Sequence, residues 1–284
     1  MFQPLIGKTV IDLTQVLAGP YATYQLALLG ADVLKIEDPN GGDWTREGKA
    51  PDGLENQNMG TGYLTQNANK KSITLNLKSR RDIEKLEKLV EDADVFVENF
   101  RPGVMDRLGF DYETMKIINP GIIYASINGV GQSGPYANRR VYDAIIQAIS
   151  GVATLQSDPS KERPIMVNTL ICDKLTSLVS AQAISSALYS RSQTGLGQRI
   201  DVAMLDAALF FLWPDNMRHY AFVGDEVPPE SPHTHTNMVR KTKDGYVCTM
   251  PVQPDEWMGL FRALDLPNLL EDLSLIHISE PTRL

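Results

Sequence analysis

The sequence predicts an α/β fold: a large domain built on an open, Rossmann-like parallel sheet, followed by a smaller α+β domain. Three observations carry that expectation. Short β-branched runs alternate with helical stretches as far as about residue 205. The first two strands are separated by a single helix, the spacing of a crossover between parallel neighbours. The composition is that of an ordinary globular chain, 43% apolar and 22% charged over 284 residues, long enough for a sizeable core.

The elements follow in order. Lys8–Leu13 is the first strand, closed by Ala18-Gly19-Pro20. Pro20 opens a helix, where its missing N–H costs nothing, and Gly30 caps that helix after Leu29. Asp32–Ile36 is the second strand, and Pro39–Gly42 a turn. Ser72–Leu77 alternates as a third strand, and Arg81–Glu91 is a helix with Ile83, Leu86, Leu89 and Val90 as its apolar positions. Val95–Val97 is a buried strand that runs out into Glu98-Asn99-Phe100-Arg101-Pro102-Gly103. Met105–Leu108 and Tyr112–Ile118 are short helical pieces, and Ile122–Ile127 is another strand.

Two longer helices, Asp173–Arg191 and Met204–Met217, bracket a short strand at Arg199–Val202. On the first of them, Leu175, Leu178, Val179, Ala183, Ser186 and Ala187 are expected to share the buried face. Past Val223 the Pro-rich stretch Gly224–Pro232 reads as a linker. A strand at Gly245–Met250 and a helix from Pro254 or Asp255 to Leu264 begin the smaller domain. The expected division is 1–222 for the large domain, 223–273 for the start of the small one, and 274–284 for a tail. That tail, Ser274–Leu284, reads as translated adapter sequence rather than native chain.

Charge and composition exclude several classes. With 27 basic and 35 acidic residues the net charge is −8, which suits neither a nucleic-acid nor a membrane surface; a polyanionic ligand requires a local basic pocket. Two cysteines, Cys172 and Cys248, stand far apart without a C-x-x-C partner, against a disulfide scaffold and in keeping with a reducing cytosol. No signal peptide precedes the first strand, and no apolar run approaches the ~20 residues of a membrane span, so the expected location is cytoplasmic.

The stretch Asn128–Tyr136, NGVGQSGPY, contains G-x-G-x-x-G at Gly129, Gly131 and Gly134. A dinucleotide fingerprint joins the first strand to a long helix, whereas this loop lies nearly halfway along the chain and runs into Pro135 and polar residues. Glycines serving backbone conformation are the better reading. Asp173, opening its helix, is expected as an N-cap and as a carboxylate that the helix dipole holds ionised, as a nucleophile requires. Cys172 is expected to be structural, because the four histidines, His219, His233, His235 and His277, are distant in sequence. His233-Thr234-His235 lacks a third ligand, so no metal site is expected, and no G-x-S-x-G marks a serine hydrolase. Arg101, Arg107, Arg139 and Arg140 follow strand ends; each alone reads as a solvated surface residue, whereas the four together on the ligand edge of an acidic chain suit phosphates.

Taken together, several segments resemble the class III (CaiB/BaiF-type) CoA-transferases, a group that includes formyl-CoA and carnitine CoA-transferases and is related to the α-methylacyl-CoA racemases. The matching pieces are Ile11–Pro20, Leu29–Glu37 with Gly42-Asp43, Asn69–Leu77, Ala93–Gly103, Gly131–Tyr136 and Thr194–Val202, in family order. The resemblance implies a Rossmann-like large domain, a small domain and two interlocked chains. It also implies a C-terminal return to the large domain, a segment this sequence lacks. No permanently bound cofactor is implied; the CoA thioester is a substrate, with a small carboxylic acid as the other partner.

Residue by residue, the family's catalytic aspartate falls on Asp173, which would attack the acyl-CoA thioester to give a mixed anhydride and free CoA thiolate. A backbone amide would stabilise the developing oxyanion. Ala18, Asn99, Phe100, Arg107 and Arg140 fall on positions that touch CoA. Leu17 and Asp38 stand where formyl-CoA transferase has glutamine and arginine, a difference that argues against formate or oxalate specificity without excluding it. Tyr142 lines the acyl site and stands where racemases carry their histidine; tyrosine, with an ordinary pKa of ~10, is a poor base at neutral pH. Transfer is therefore the first reading. A racemase, or a catalytically inactive CoA-binding protein, is the alternative.

Overall fold

In a computed structural model, the chain is described over residues 2–47, 49–50, 52, 57–155, 157, 163–217, 221, 224 and 238–270. It divides into two compact units, Met1–Pro232 and His233–Leu284. The first holds a six-stranded, fully parallel sheet. Its strands are β1 (Thr9–Asp12), β2 (Asp32–Glu37), β3 (Lys70–Thr74), β4 (Val95–Glu98), β5 (Ile123–Asn128) and β6 (Gln198–Ala203), in the order β3-β2-β1-β4-β5-β6. The order reverses between β1 and β4, which is where ligands settle in such sheets.

Period-two alternation sends strand side chains to two cores. Val10, Val33, Val95, Val97, Ile123 and Ala125 face one layer, packed by α1 (Ala18–Leu28), α6 (Asp143–Ser150), α8 (Ile171–Thr194) and α9 (Met204–Asn216). Ile11, Ile36, Phe96 and Tyr124 face the other, under α3 (Arg80–Glu91) and α5 (Tyr112–Ile118). The remaining helices of this unit are α2 (Thr61–Asn67), α4 (Val104–Leu108), whose Met105 joins the second core, and α7 (Val152–Leu155), whose Val152 joins the first.

Three local expectations are corrected. The third strand is Lys70–Thr74 rather than Ser72–Leu77, because its register is set by β2, from Val33 opposite Lys70 to Glu37 opposite Thr74. The first helix starts at Ala18, so Pro20 is its third residue. On α8 the buried face is Thr176, Ser177, Ser180, Ala181, Ile184, Ala187 and Leu188, while Leu178 and Ser186 are exposed and Leu175, Val179 and Ala183 only partly buried. The reason is close packing of α8 on α1. Thr176, Ser177 and Ser180 donate their hydroxyls to carbonyls four residues back, at 2.6, 2.7 and 2.7 Å, so small polar side chains are satisfied within the helix.

In the second unit, β7 (Val239–Lys241) pairs antiparallel with β8 (Tyr246–Cys248), and α10 (Pro254–Ala263) carries a capping box between Gln253 and Glu256. Among the described residues no helix is long and apolar enough to cross a membrane, and no three His, Cys, Asp or Glu side chains gather as a metal site. All four histidines, the linker Gly224–Pro232 apart from Gly224 itself, and the tail 274–284 lie outside the described residues.

Candidate active site

Three clefts adjoin along the carboxyl edge of the sheet. The first, about 340 Å³, is lined by Leu13, Ile36, Asp38, Leu75, Phe100 and Arg107 among others. The second, about 290 Å³, carries Arg101, Arg139 and Arg140. The third, about 440 Å³, holds Asp173 with Leu17, Ala18, Trp44, Tyr142 and Met204. Gln15 borders all three, Phe100 joins the first to the second, and Asn99 and Tyr142 join the second to the third. The result is one groove running from Arg107, past the arginines, to Asp173.

The loop after β1 forms the floor of this groove, and side chains satisfy its backbone. Asp12 accepts the Thr14 N–H at 2.9 Å, and Lys35 Nζ donates to the Thr14 carbonyl at 2.5 Å. Asn99 accepts the Gln15 N–H and donates to the Gln15 carbonyl, both at 2.8 Å, stitching the ends of β1 and β4 across the point of strand reversal. Asp43 accepts the Val16 N–H at 3.1 Å. Val16 sits at φ +74°, the left-handed region, which costs a β-branched residue about 1–3 kcal/mol. The strain turns the chain into α1, whose first residue, Ala18, lines the same cleft as Asp173, and Ser177 donates to the Ala18 carbonyl at 2.6 Å.

Asp173 is the third residue of α8, not its N-cap, because the helix begins two residues earlier at Ile171. The capping role falls to a side chain remote in sequence: Asp143, 2% exposed, accepts the Asp173 N–H at 3.0 Å and the Gln147 amide at 2.6 Å. The expected electrostatics are corrected as well. Burial and then the Asp143 charge raise the Asp173 carboxyl from 3.8 to about 6, against the opposing pull of Lys174 and the Ala18 N–H. Such a carboxylate is largely ionised at neutral pH yet more basic than an ordinary one. Neighbouring Cys172 is fully buried and its thiol is pushed up to about 12 by burial, then by Asp143 and Asp173, which leaves it inert.

The structure brings every sequence-predicted site residue to this groove, at different points. Ala18, Asp173 and Tyr142 meet at one end, and Arg107 lies at the other. Phe100 and Asn99 sit between, and Arg140 projects, exposed, from the loop after β5. In that loop Gly131 and Gly134 lie at φ +100° and +93°, and a Cβ on Gly129 would come 1.9 Å from Val141 Cγ2. The glycines thus serve the backbone path to Tyr142 rather than a nucleotide. Three groove residues are not marked by the sequence: Asp143, whose only local signal is adjacency to Tyr142, and Trp44 and Gln15, which carry none.

The family described as CoA-transferase family III matches residues 5–282. The succinate–glutarate CoA-transferase of Agrobacterium fabrum is 35% identical over 276 residues, 95% of this chain and 68% of that protein. The acetyl-CoA:oxalate CoA-transferase of Acetobacter aceti is 42% identical over 235 residues, 81% and 59% respectively. The chain thus spans roughly three fifths to two thirds of these relatives. A crystal structure of a CaiB/BaiF family protein from Brucella suis superposes with a TM-score of 0.80 at 35% identity, covering 96% of this chain and 72% of the other.

Proposed function

The chain belongs to CoA-transferase family III, and on that premise we propose that it moves CoA from an acyl-CoA thioester to a carboxylic acid through a covalent intermediate on Asp173. A dicarboxylic acid of the succinate or glutarate kind is the proposed acceptor class, since the Agrobacterium fabrum relative carries both in its name. The observation that carries the reading is the position of Asp173: a carboxyl raised to about 6, sharing a cleft with Ala18, at the end of a groove bordered by arginines.

An Asp173 carboxylate oxygen attacks the thioester carbonyl carbon, the C–S bond breaks, and CoA leaves as thiolate, giving a mixed anhydride. The Ala18 N–H then serves the oxyanion of the tetrahedral intermediate. The acceptor carboxylate attacks the Asp173 acyl carbon and expels the donor acid. The waiting thiolate attacks the new acyl carbonyl, which releases product and regenerates Asp173. Arg107 and Arg140 are proposed to face the phosphates of CoA, Phe100 to pack on its adenine or pantetheine arm, and Tyr142 to line the acyl pocket.

The interlocked homodimer that the resemblance implies is supported by an uncovered apolar face on α9, where Phe210, Phe211 and Trp213 are 77%, 54% and 49% exposed. The proposed compartment is the cytosol, in line with two unpaired cysteines. The test is a CoA-transfer assay from succinyl-CoA to glutarate, run beside deuterium wash-in at the α-carbon without an acceptor acid. Transfer without wash-in supports the reading. Wash-in without transfer replaces it with racemisation.

A further inference from the structure

Beneath the groove lie four buried charges that the transfer chemistry does not use. Lys35 and Asp43 pair at 3.3 Å with both side chains fully inaccessible, and Lys70 and Asp12 pair at 3.0 Å with side chains 1% and 0% exposed. Burying ion pairs is costly and seldom repaid by stability alone. What these groups hold is the Thr14–Ala18 loop. Lys35 grips the Thr14 carbonyl, and Asp43 grips the Val16 N–H. Asp12 grips the Thr14 N–H, and Lys70 grips the Pro20 carbonyl at 2.8 Å.

Asp43 is itself set in place. Glu37 accepts the Asp43 N–H at 2.9 Å and is clasped by Arg46 through two contacts of 2.7 Å. Burial alone would raise the Glu37 carboxyl, but Arg46 and Ser72 outweigh it and keep it at about 2, so this anchor stays ionised. A left-handed Val16 persists only where its surroundings fix it. The fixed turn leads into Ala18, which lines the Asp173 cleft and is tied to α8 through the Ser177 hydroxyl at 2.6 Å.

We propose that the Lys35–Asp43 ion pair is a positioning device for the transfer step, holding the strained Val16 turn so that the Ala18 amide stays aimed at the Asp173 carboxylate. The proposal rests on Asp173 being the nucleophile. Neither Lys35 nor Asp43 lines the groove, so their effect passes through the loop. Phe100 and Arg140 lie on other loops and Arg107 on α4, so the device acts on kcat and leaves the KM for acyl-CoA alone.

The test compares Lys35→Met with Lys35→Met/Asp43→Asn in the full-length protein, reading transfer kinetics, thermal midpoint and acylation of Asp173. The single variant strands a buried carboxylate and loses both stability and rate. In the double variant both charges are gone, and the thermal midpoint returns toward wild type. Its kcat stays down by about 10- to 100-fold, with KM within about two-fold. Recovery of kcat together with the midpoint overturns the proposal, because the pair would then serve stability only; so does a rise in KM in place of the fall in kcat. Should the double variant fail to fold, the nearly isosteric Asp43→Asn alone decides: an unchanged kcat overturns the proposal. A wild-type protein without transfer or Asp173 acylation refutes the parent reading, whereas an acylated wild type with undiminished variant rates refutes only the positioning role.

Discussion

Two loops border the groove, and they are built by opposite means. Thr14–Ala18, after β1, is clamped by Asp12, Lys35, Asp43 and Asn99, and it enters the left-handed region at a valine rather than a glycine. Gly129–Tyr142, after β5, takes its left-handed turns at Gly131 and Gly134 and leaves Ser133 to Tyr136 and Asn138 to Arg140 exposed. Few bonds tie it down; Gly131 N–H to Asn128 at 2.6 Å and Gln132 to Ser126 at 2.7 Å are the main ties to β5. The rigid loop faces the atom that reacts, where misplacement is expensive. The compliant loop presents arginines, whose long side chains reach a charged ligand without exact backbone placement.

The sharpest break of that contrast is at the reacting end. Asp173→Asn is expected to cut transfer by roughly 10⁴-fold or more while acyl-CoA binding survives, measured by turnover beside equilibrium binding. Full activity in that variant would remove Asp173 from the chemistry. Next in size is Gly129→Ala, whose Cβ meets Val141 Cγ2 at 1.9 Å in the segment leading to Tyr142. A loss of about 1–3 kcal/mol in unfolding free energy is expected. Gly134→Ala meets nothing within 4 Å and pays only for its φ of +93°, about 1 kcal/mol. Equal losses at the two positions would show that the β5 loop is not pinned at its root.

At the compliant end, Arg140→Ala is expected to raise the KM for acyl-CoA by about ten-fold at low salt, with kcat held and the effect shrinking as salt rises. A fall in kcat at constant KM would instead place Arg140 at the chemistry. The smallest effect is in pH dependence. Asp173 attacks as the anion, so activity rises with pH through about 6. Its folded value lies above the ordinary 3.8, so its contribution to stability is present below 3.8 and lost as pH rises through about 6. Asp143→Asn removes the second cause of that shift while keeping an oxygen for the Asp173 N–H. The acid limb of kcat/KM then moves down by about half to one pH unit. An unmoved limb would assign the raised value to burial alone.

Much of this was legible in the residues. The β-branched runs at Lys8–Leu13, Asp32–Ile36 and Ile122–Ile127 mark strands because a doubly covered sheet buries both their faces. Asp173, Tyr142 and the arginines emerged through the ordered resemblance of whole segments, not from spacing. What stayed hidden depends on long-range partners. The start of α8 is set by Asp143, thirty positions away in sequence, which no local capping signal near Asp173 could announce. The buried face of α8 is chosen by its fit to α1, so Ser177 and Ser180 are covered while Leu178 is exposed. Lys35 stands in the sequence as one charged position inside the strand Asp32–Ile36, and only the fold shows it fully buried against Asp43.

The central claim is that Asp173 carries the acyl group, and covalent trapping tests it most directly. Protein incubated with acyl-CoA and hydroxylamine, then digested and mapped by mass spectrometry, is predicted to yield a hydroxamate at Asp173 that requires acyl-CoA and disappears in Asp173→Asn. A protein that transfers CoA at full rate with Asp173 unmodified, or modified elsewhere, would contradict the account.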